Sequence, residues 1–318
     1  MHPGRTFREF GWWHEVVLLI LLALLLAVAE RLVPGFSNWS NQLYLSRHLW
    51  ELALLTLGMT LIILTGGIDL SVGSIMGLCA VIFGMTFQWC QRTDVAALAC
   101  LLTGTLAGAL NGFLIARFQL HSLIVTLATF AAYRGIAEGL SQGKSYSQFG
   151  SAFSQLARSS VLGIPWPGYL FAVFTILCGV WLSLTPTGRY LYAIGYNERA
   201  SRYSGISVDR IRRRLYMFSG FLAGLATVIY VSRFNTAKAD DGKGFELDVI
   251  TAVVVGGTSI FGGRGNLLGT VLGLLLIHEI RMFVGRYWGL DELKPIVIGI
   301  LLIVSILASS TISRQDRT

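Results

Sequence analysis

Charge is what this chain of 318 residues has least of: 13% of its side chains are Asp, Glu, Lys or Arg, about half the roughly 25% usual in soluble domains. With 54% hydrophobic residues and a mean hydropathy of +0.64, a soluble enzyme is excluded. Cysteine is scarce too. Cys79, Cys90, Cys100 and Cys178 lie in or beside apolar stretches without C-x-x-C spacing or companion histidines, so a zinc site and a disulfide framework are excluded and packing roles expected. There is no G-x-S-x-G, no H-E-x-x-H and no metal-spaced histidine cluster. Gly143-Lys144-Ser145 invites comparison with a phosphate loop, but Glu138 stands where that motif requires glycine. ATP hydrolysis by this chain is therefore not expected, and neither is a bound cofactor or metal. Asp240-Asp241-Gly242-Lys243-Gly244 lacks calcium-loop spacing and reads as a polar outer turn. The net charge of +8, from 25 basic against 17 acidic residues, fits cationic loops on the cytoplasmic side of a membrane better than a nucleic-acid partner.

What is abundant is apolar sequence. Stretches at about 12–33, 49–65, 72–90, 95–116, 121–140, 167–184, 214–232, 247–262, 265–284 and 293–310 each approach the roughly 20 residues that cross a bilayer. An all-α integral membrane protein of about ten transmembrane helices is expected, a single domain over 1–318 with membrane lipid around it. The first stretch follows Arg5 and Arg8 and ends in Ala27-Val28-Ala29, which resembles a signal peptide; a retained anchor is the expectation. Seven arginines crowd between Arg189 and Arg214, opposed by Glu198 and Asp209. This marks 186–213 as a cytoplasmic loop and places both termini on the same side.

Two segments carry a mechanism. Within the basic loop, Asn197 to Ile206 reads as a short capped helix, with Asn197 as N-cap and Gly205 as its left-handed stop. Ala200, Ser201 and Ser204 would form a small-residue surface suited to a groove on another protein. The second segment, Thr65-Gly66-Gly67-Ile68-Asp69-Leu70-Ser71-Val72-Gly73-Ser74, sets paired glycines, a carboxylate and hydroxyls at membrane depth. Such a break must line a cavity or lie inside protein, because unpaired backbone groups cannot face lipid. Asp69 is read either as a functional intramembrane carboxylate or as a structural cap. A shift of 196 residues superposes Gly66, Gly67, Gly73, Gly77 and Leu78 on Gly262, Gly263, Gly269, Gly273 and Leu274, so a parallel internal repeat is expected. The ladders Gly104-Gly108-Gly112, Gly220-Gly224 and Gly265-Gly269-Gly273 predict close helix contacts. Arg134 and Glu138 have pairing distance along one helix, and His278, Glu279 and Arg281 read as an interfacial structural cluster.

On these residues the chain resembles the membrane permeases of bacterial ABC sugar importers, in the branch handling ribose, xylose, arabinose, rhamnose and the quorum-sensing autoinducer. The resemblance runs over nearly the whole chain. It is carried by Thr65 to Gly73, by Pro186-Thr187-Gly188-Arg189 leading into Asn197 to Ile206, and by Phe245-Glu246-Leu247 followed by Gly256-Gly257, Ser259-Ile260 and Phe261-Gly262-Gly263. It implies a permease in the bacterial inner membrane that pairs with itself or a sister permease. Sugar would arrive from a periplasmic or lipid-anchored binding protein, and a separate ATPase holding ATP and Mg would supply the work. The helix from Asn197 to Gly205 corresponds to the family's coupling helix, implying ATPase docking by Asn197, Glu198, Ala200, Ser201, Ser204 and Gly205; its Glu198-Arg199-Ala200-Ser201 core departs from the family's E-A-A-like pattern. Asp69 and Ser71 are expected as pathway or gate supports, with Gly66, Gly67, Gly256, Gly257, Gly262 and Gly263 allowing close backbone approach. The rival readings are a ten-helix ion-coupled secondary carrier that needs no ATPase, and an intramembrane enzyme, which the missing motifs disfavour.

Overall fold

The computed structural model describes residues 11–290 and 292–315. Its helices are α1 (Gly11–Leu32), α2 (Trp39–Leu45), α3 (Trp50–Leu64), α4 (Val72–Cys90), α5 (Thr93–Phe118), α6 (Ser122–Ser141), α7 (Ser151–Arg158), α8 (Trp166–Leu184), α9 (Pro186–Tyr196), α10 (Glu198–Tyr203), α11 (Val208–Phe234), α12 (Phe245–Val255), α13 (Leu267–Trp288) and α14 (Leu293–Gln315). Sheet is confined to two pairs of dipeptide strands. β1 (Tyr146–Ser147) pairs antiparallel with β4 (Thr236–Ala237), and β2 (Ser160–Val161) with β3 (Ile164–Pro165). The all-α membrane architecture is as the hydropathy predicts.

Among the described residues, fewer than ten helices count as complete spans. Each predicted stretch is helical, yet among the described residues six helices reach full length and hydropathy: α4, α5, α6, α8, α11 and α13. A seventh span is counted if Trp39–His48 and Trp50–Leu64, bent by 58°, are taken together. The reason is local. Gly66 and Gly67 end α3 after 15 residues, and Gly256 and Gly257 end α12 after 11, about 16 Å at 1.5 Å per residue. That is half a bilayer core.

Helix α3 is the hub. Its residues Glu51 to Leu64 are all buried, as expected of a helix apolar on every side, and α11, α12, α13 and α8 enclose it. Within lipid the hydrophobic effect does not drive helices together, so close packing must. Gly104, Gly108 and Gly112 of α5 accordingly sit against Gly224, Gly220, Tyr216 and Arg213 of α11. The periphery is lipid-facing: Leu98, Leu102, Leu106 and Leu110 of α5 and Val173, Ile176, Leu177 and Val180 of α8 are exposed. Cys79, Cys100 and Cys178 are buried and unbridged, in the packing roles expected of them.

At the end of the bundle remote from α10, ion pairs tie the helices together. Arg233 Nε donates to Glu51 Oε1 at 2.8 Å and its Nη1 meets His48 Nδ1 at 2.5 Å. Arg281 pairs with Asp248, and Gln42 Nε2 donates to Glu279 Oε2 at 3.3 Å. The expected His278–Glu279–Arg281 cluster is thus part of the packing, with His278 buried.

Candidate functional site

The first break is a closed, stitched structure. Asp69 is fully enclosed, at 0% exposure; its Oδ1 accepts from the Ser71 amide at 2.9 Å and from Ser71 Oγ at 2.6 Å. Asn111 Nδ2 of α5 donates to Ser71 Oγ at 2.7 Å, and Tyr133 OH of α6 donates to the Ala107 carbonyl at 2.9 Å while lying 3.1 Å from Asn111 Oδ1. Ser122 Oγ accepts from the Ile68 amide, Thr126 Oγ1 from the Leu70 amide, and Tyr216 OH donates to the Ile68 carbonyl. Neighbouring side chains therefore satisfy backbone groups that the broken helix leaves open, as membrane depth requires. Asn111, Tyr133 and Tyr216 are structural supports of the break that the sequence does not announce. They lie 40 or more residues from the break, and no local spacing announces them.

The two glycine-rich breaks touch. The Gly263 amide donates to the Leu64 carbonyl at 2.9 Å, and a side chain on Gly262 would meet Gly66 N at 2.7 Å. Gly66, Gly262 and Gly263 all have positive φ, which only glycine adopts freely. Gly256 faces Gly269 and Thr270, and Gly257 faces the His14 ring. The end of α3 and the loop after α12 meet beside Gly195 at the end of α9. Asp69, Ser71, Gly67 and Gly256 are buried and Gly66 and Gly257 exposed; the structure brings Gly66, Gly262 and Gly263 together, whereas Asp69 and Ser71 are linked to Asn111 of α5, and Gly256 and Gly257 lie against α13 and α1.

Beside this junction lies α10. Asn197 Oδ1 accepts from the Ala200 amide at 2.9 Å, and Gly205 at φ +81° ends the helix. Glu198 is gripped from two sides: Arg202 Nη2 and Arg212 Nη1 donate to Oε1 at 2.9 and 3.0 Å, and Arg212 Nη2 to Oε2 at 2.7 Å. Arg202 also reaches Asp209 at 2.6 Å and Gln119 Oε1 at 3.0 Å, so α10 is fastened to the ends of α11 and α5. Ala200 and Ser204 face outward as expected, but Ser201 is turned inward at 5% exposure. Its amide bonds back to Asn197 O, and it cannot present a surface. What is offered instead is Tyr196 at the end of α9 and Tyr203 at the end of α10, 80% and 92% exposed, with Arg199 exposed between them. Their seven-residue spacing was legible; the small residues drew the reading away from it.

The clamp has a definite pH range. Partial burial works to raise the Glu198 pKa, but the Arg212 charge and hydrogen bonds from Arg202 and Arg212 outweigh it and hold the carboxyl below its ordinary 4.5. A depressed native pKa contributes stability that is complete above the ordinary value and lost as pH falls through the native one. A nitroxide on Tyr203→Cys should therefore give the same spectrum from pH 8 to about 5 and become mobile only below about pH 4.5.

Residues 43–306 match the family described as branched-chain amino acid transport system / permease component. The chain is 32% identical to the ribose import permease protein RbsC of Escherichia coli (strain K12) over 311 residues, covering 96% of this chain and 97% of that protein. Against the ribose import permease protein RbsC of Haemophilus influenzae it is 34% identical over 295 residues, covering 92% and 91%. Against the autoinducer 2 import system permease protein LsrD of Escherichia coli (strain K12) it is 32% identical over 315 residues, covering 97% and 95%. No solved structure matches. Among the described residues no group of histidine, cysteine and carboxylate side chains could hold a metal. A multi-pass helical bundle matched over most of its length by permease components is a transport subunit and not a catalytic enzyme, and the chain belongs to the family of permease components of ABC importers.

Proposed function

We propose that this chain carries a monosaccharide or a related small sugar across the bacterial inner membrane, with both termini in the cytoplasm. It would work with a cytoplasmic ATPase that holds ATP and Mg, a periplasmic or lipid-anchored sugar-binding protein, and a second permease, identical or sister. The family description mentions branched-chain amino acids, whereas the full-length relatives are named for ribose and autoinducer 2; likeness along the whole chain favours a sugar. The observation that carries the coupling is α10. It is a capped helix of six residues at the edge of the bundle, fastened through Glu198 and flanked by two exposed tyrosines, Tyr196 before it and Tyr203 at its end. Docking is assigned to Asn197, Glu198, Ala200, Ser204 and Gly205, with Tyr196, Arg199 and Tyr203 added and Ser201 supporting from within. Asp69 and Ser71 brace the pathway from behind, and Gly66, Gly67, Gly256, Gly257, Gly262 and Gly263 set the approach of the two breaks. No covalent chemistry is needed; ATP-driven closure of the ATPase would press on α10 and switch the access of the cavity. Uptake by liposomes holding the permease, its ATPase and its binding protein should require ATP hydrolysis. Uptake driven by an ion gradient through the permease alone would support a secondary carrier instead.

A further inference from the structure

The polar segment between α11 and α12 is not the outer turn that its composition suggests. After Asn235 closes α11 in a left-handed conformation, the chain folds back into the bundle. Arg134 holds it there: Nη1 donates to the carbonyls of Ala239 and of Asp241, the latter at 3.4 Å, and Nη2 to the Gly73 carbonyl at 3.2 Å. Arg134 is thus committed to backbone carbonyls and not to the expected ion pair with Glu138. It is the thirteenth residue of α6, about 18 Å from that helix's start at 1.5 Å per residue. The start of α6 lies on the α10 side, where Gln119 meets Arg202. Segment 238–244 therefore reaches the middle of the membrane. Gly73 and Gly77 leave room for it, since a side chain at either would run into Gly242 O or Ala239 O.

This depth is incompatible with lipid contact. Lys238, Asp240 and Lys243 are exposed, as is Glu138 one turn along α6, and Glu246, Glu138, Asp240 and Asp241 all lie within electrostatic reach of Arg134. Charged side chains at bilayer depth face protein or water. Glu246 Oε2 is enclosed without a hydrogen-bond partner among the described residues. The adjoining face of α6 has an unusual composition for a lipid-facing surface: Ala128, Ala131, Ala132, Gly135 and Gly139 are exposed, and a side chain at Gly135 or Gly139 would meet nothing within 4 Å. Ile124 and Leu127 are exposed on that face as well, toward the start of α6, whereas the exposed faces of α5 and α8 carry leucine, isoleucine and valine along their length.

We propose that the groove between the small-residue face of α6 and the returning segment 238–246 is the hydrophilic wall of the translocation passage, where Glu138, Asp240 and Lys243 hydrogen-bond a polyhydroxylated solute. Arg134 is a positioning residue that keeps the segment at depth. The proposal rests on the permease reading above, with a facing permease closing the passage, and moves the solute-contacting groups away from the enclosed Asp69 and Ser71. Mixed donors and acceptors suit a sugar, and a water-filled wall needs no tight site because delivery fixes selectivity.

The test is reactivity toward a membrane-impermeant quaternary-ammonium methanethiosulfonate, which attacks thiolates and hence reports water. Cysteine is placed at Gly135 or Gly139, where the space accepts it, in a Cys90→Ser background, with the permease in its reconstituted importer. Leu106→Cys and Ile176→Cys serve as lipid-facing controls, and Leu162→Cys, on the exposed β2–β3 turn, as the aqueous one. Gly135→Cys and Gly139→Cys are expected to react within about tenfold of Leu162→Cys and about 100-fold faster than Leu106→Cys, because thiolates form only where water reaches. Rates equal to those of the lipid-facing controls would overturn the proposal. Retention of the ATPase on purification is scored separately, so that slow labelling with the ATPase still bound removes the passage and leaves the permease reading standing.

Discussion

Gly205→Pro is expected to reduce ATP-driven uptake to a few per cent of normal while the permease still inserts and accumulates. Gly205 ends α10 at φ +81°, and its amide donates to the Arg202 carbonyl at 3.0 Å. Proline fixes φ near −65° and has no amide hydrogen, and it also disfavours the helical conformation of Ser204 before it. The last turn of α10 must then open, displacing Tyr203 and Ser204. Nothing lies within 4 Å of a side chain placed there, so the loss comes from the shape of the backbone and not from a clash in the bundle. Gly205→Ala separates the two causes. It keeps the amide and must bear a left-handed conformation costing roughly 1–2 kcal/mol, so a partial loss of uptake is expected. Uptake and ATPase activity measured in the same proteoliposomes check both variants, and unimpaired transport by Gly205→Pro would remove α10 from the mechanism.

Gly195→Val is expected to prevent stable assembly. Gly195 lies in the last turn of α9, against Leu64 O and Gly263 N, the same pair of groups whose hydrogen bond joins the two breaks. A valine side chain would have to displace backbone on both sides. Overpacking a core typically costs about 1–3 kcal/mol when neighbouring side chains can yield; here the obstacles are main chain, so the upper end or more is expected. Gly299→Ala, with open space around it, should be neutral. Size-exclusion profiles and thermal aggregation midpoints of the two variants in detergent measure the difference, and a monodisperse Gly195→Val protein melting with the parent would show that the breaks do not need this contact.

Much of the helical plan is legible because bilayer crossing imposes long apolar runs, and each predicted stretch contains a helix, though that of 247–262 ends at Val255. The cap of α10 is legible for the same kind of reason: Asn197 and Gly205 act on backbone groups within a few residues of themselves. What the chain hides is set by distant partners. The grip of Arg212 on Glu198 looks like one more feature of a basic loop until α11 folds beside α10. The inward turn of Ser201 depends on which face of a six-residue helix meets the bundle. Asp240 to Gly244 has the composition of a surface turn, yet Arg134, more than 100 residues earlier, and the glycine face of α4 hold it inside the bundle. The half-length segments are hidden similarly, since hydropathy registers the apolar content of α12 but not that the helix stops after 11 residues.

On this reading α10 lies on the ATPase side of the membrane and is the surface the ATPase covers. The most direct measurement is the labelling of Tyr203→Cys, in the Cys90→Ser background, by an impermeant maleimide in intact cells and in inverted inner-membrane vesicles. No labelling is expected in intact cells, rapid labelling in inverted vesicles stripped of the ATPase, and protection when purified ATPase is added back. Labelling of Tyr203→Cys from outside intact cells would contradict that reading.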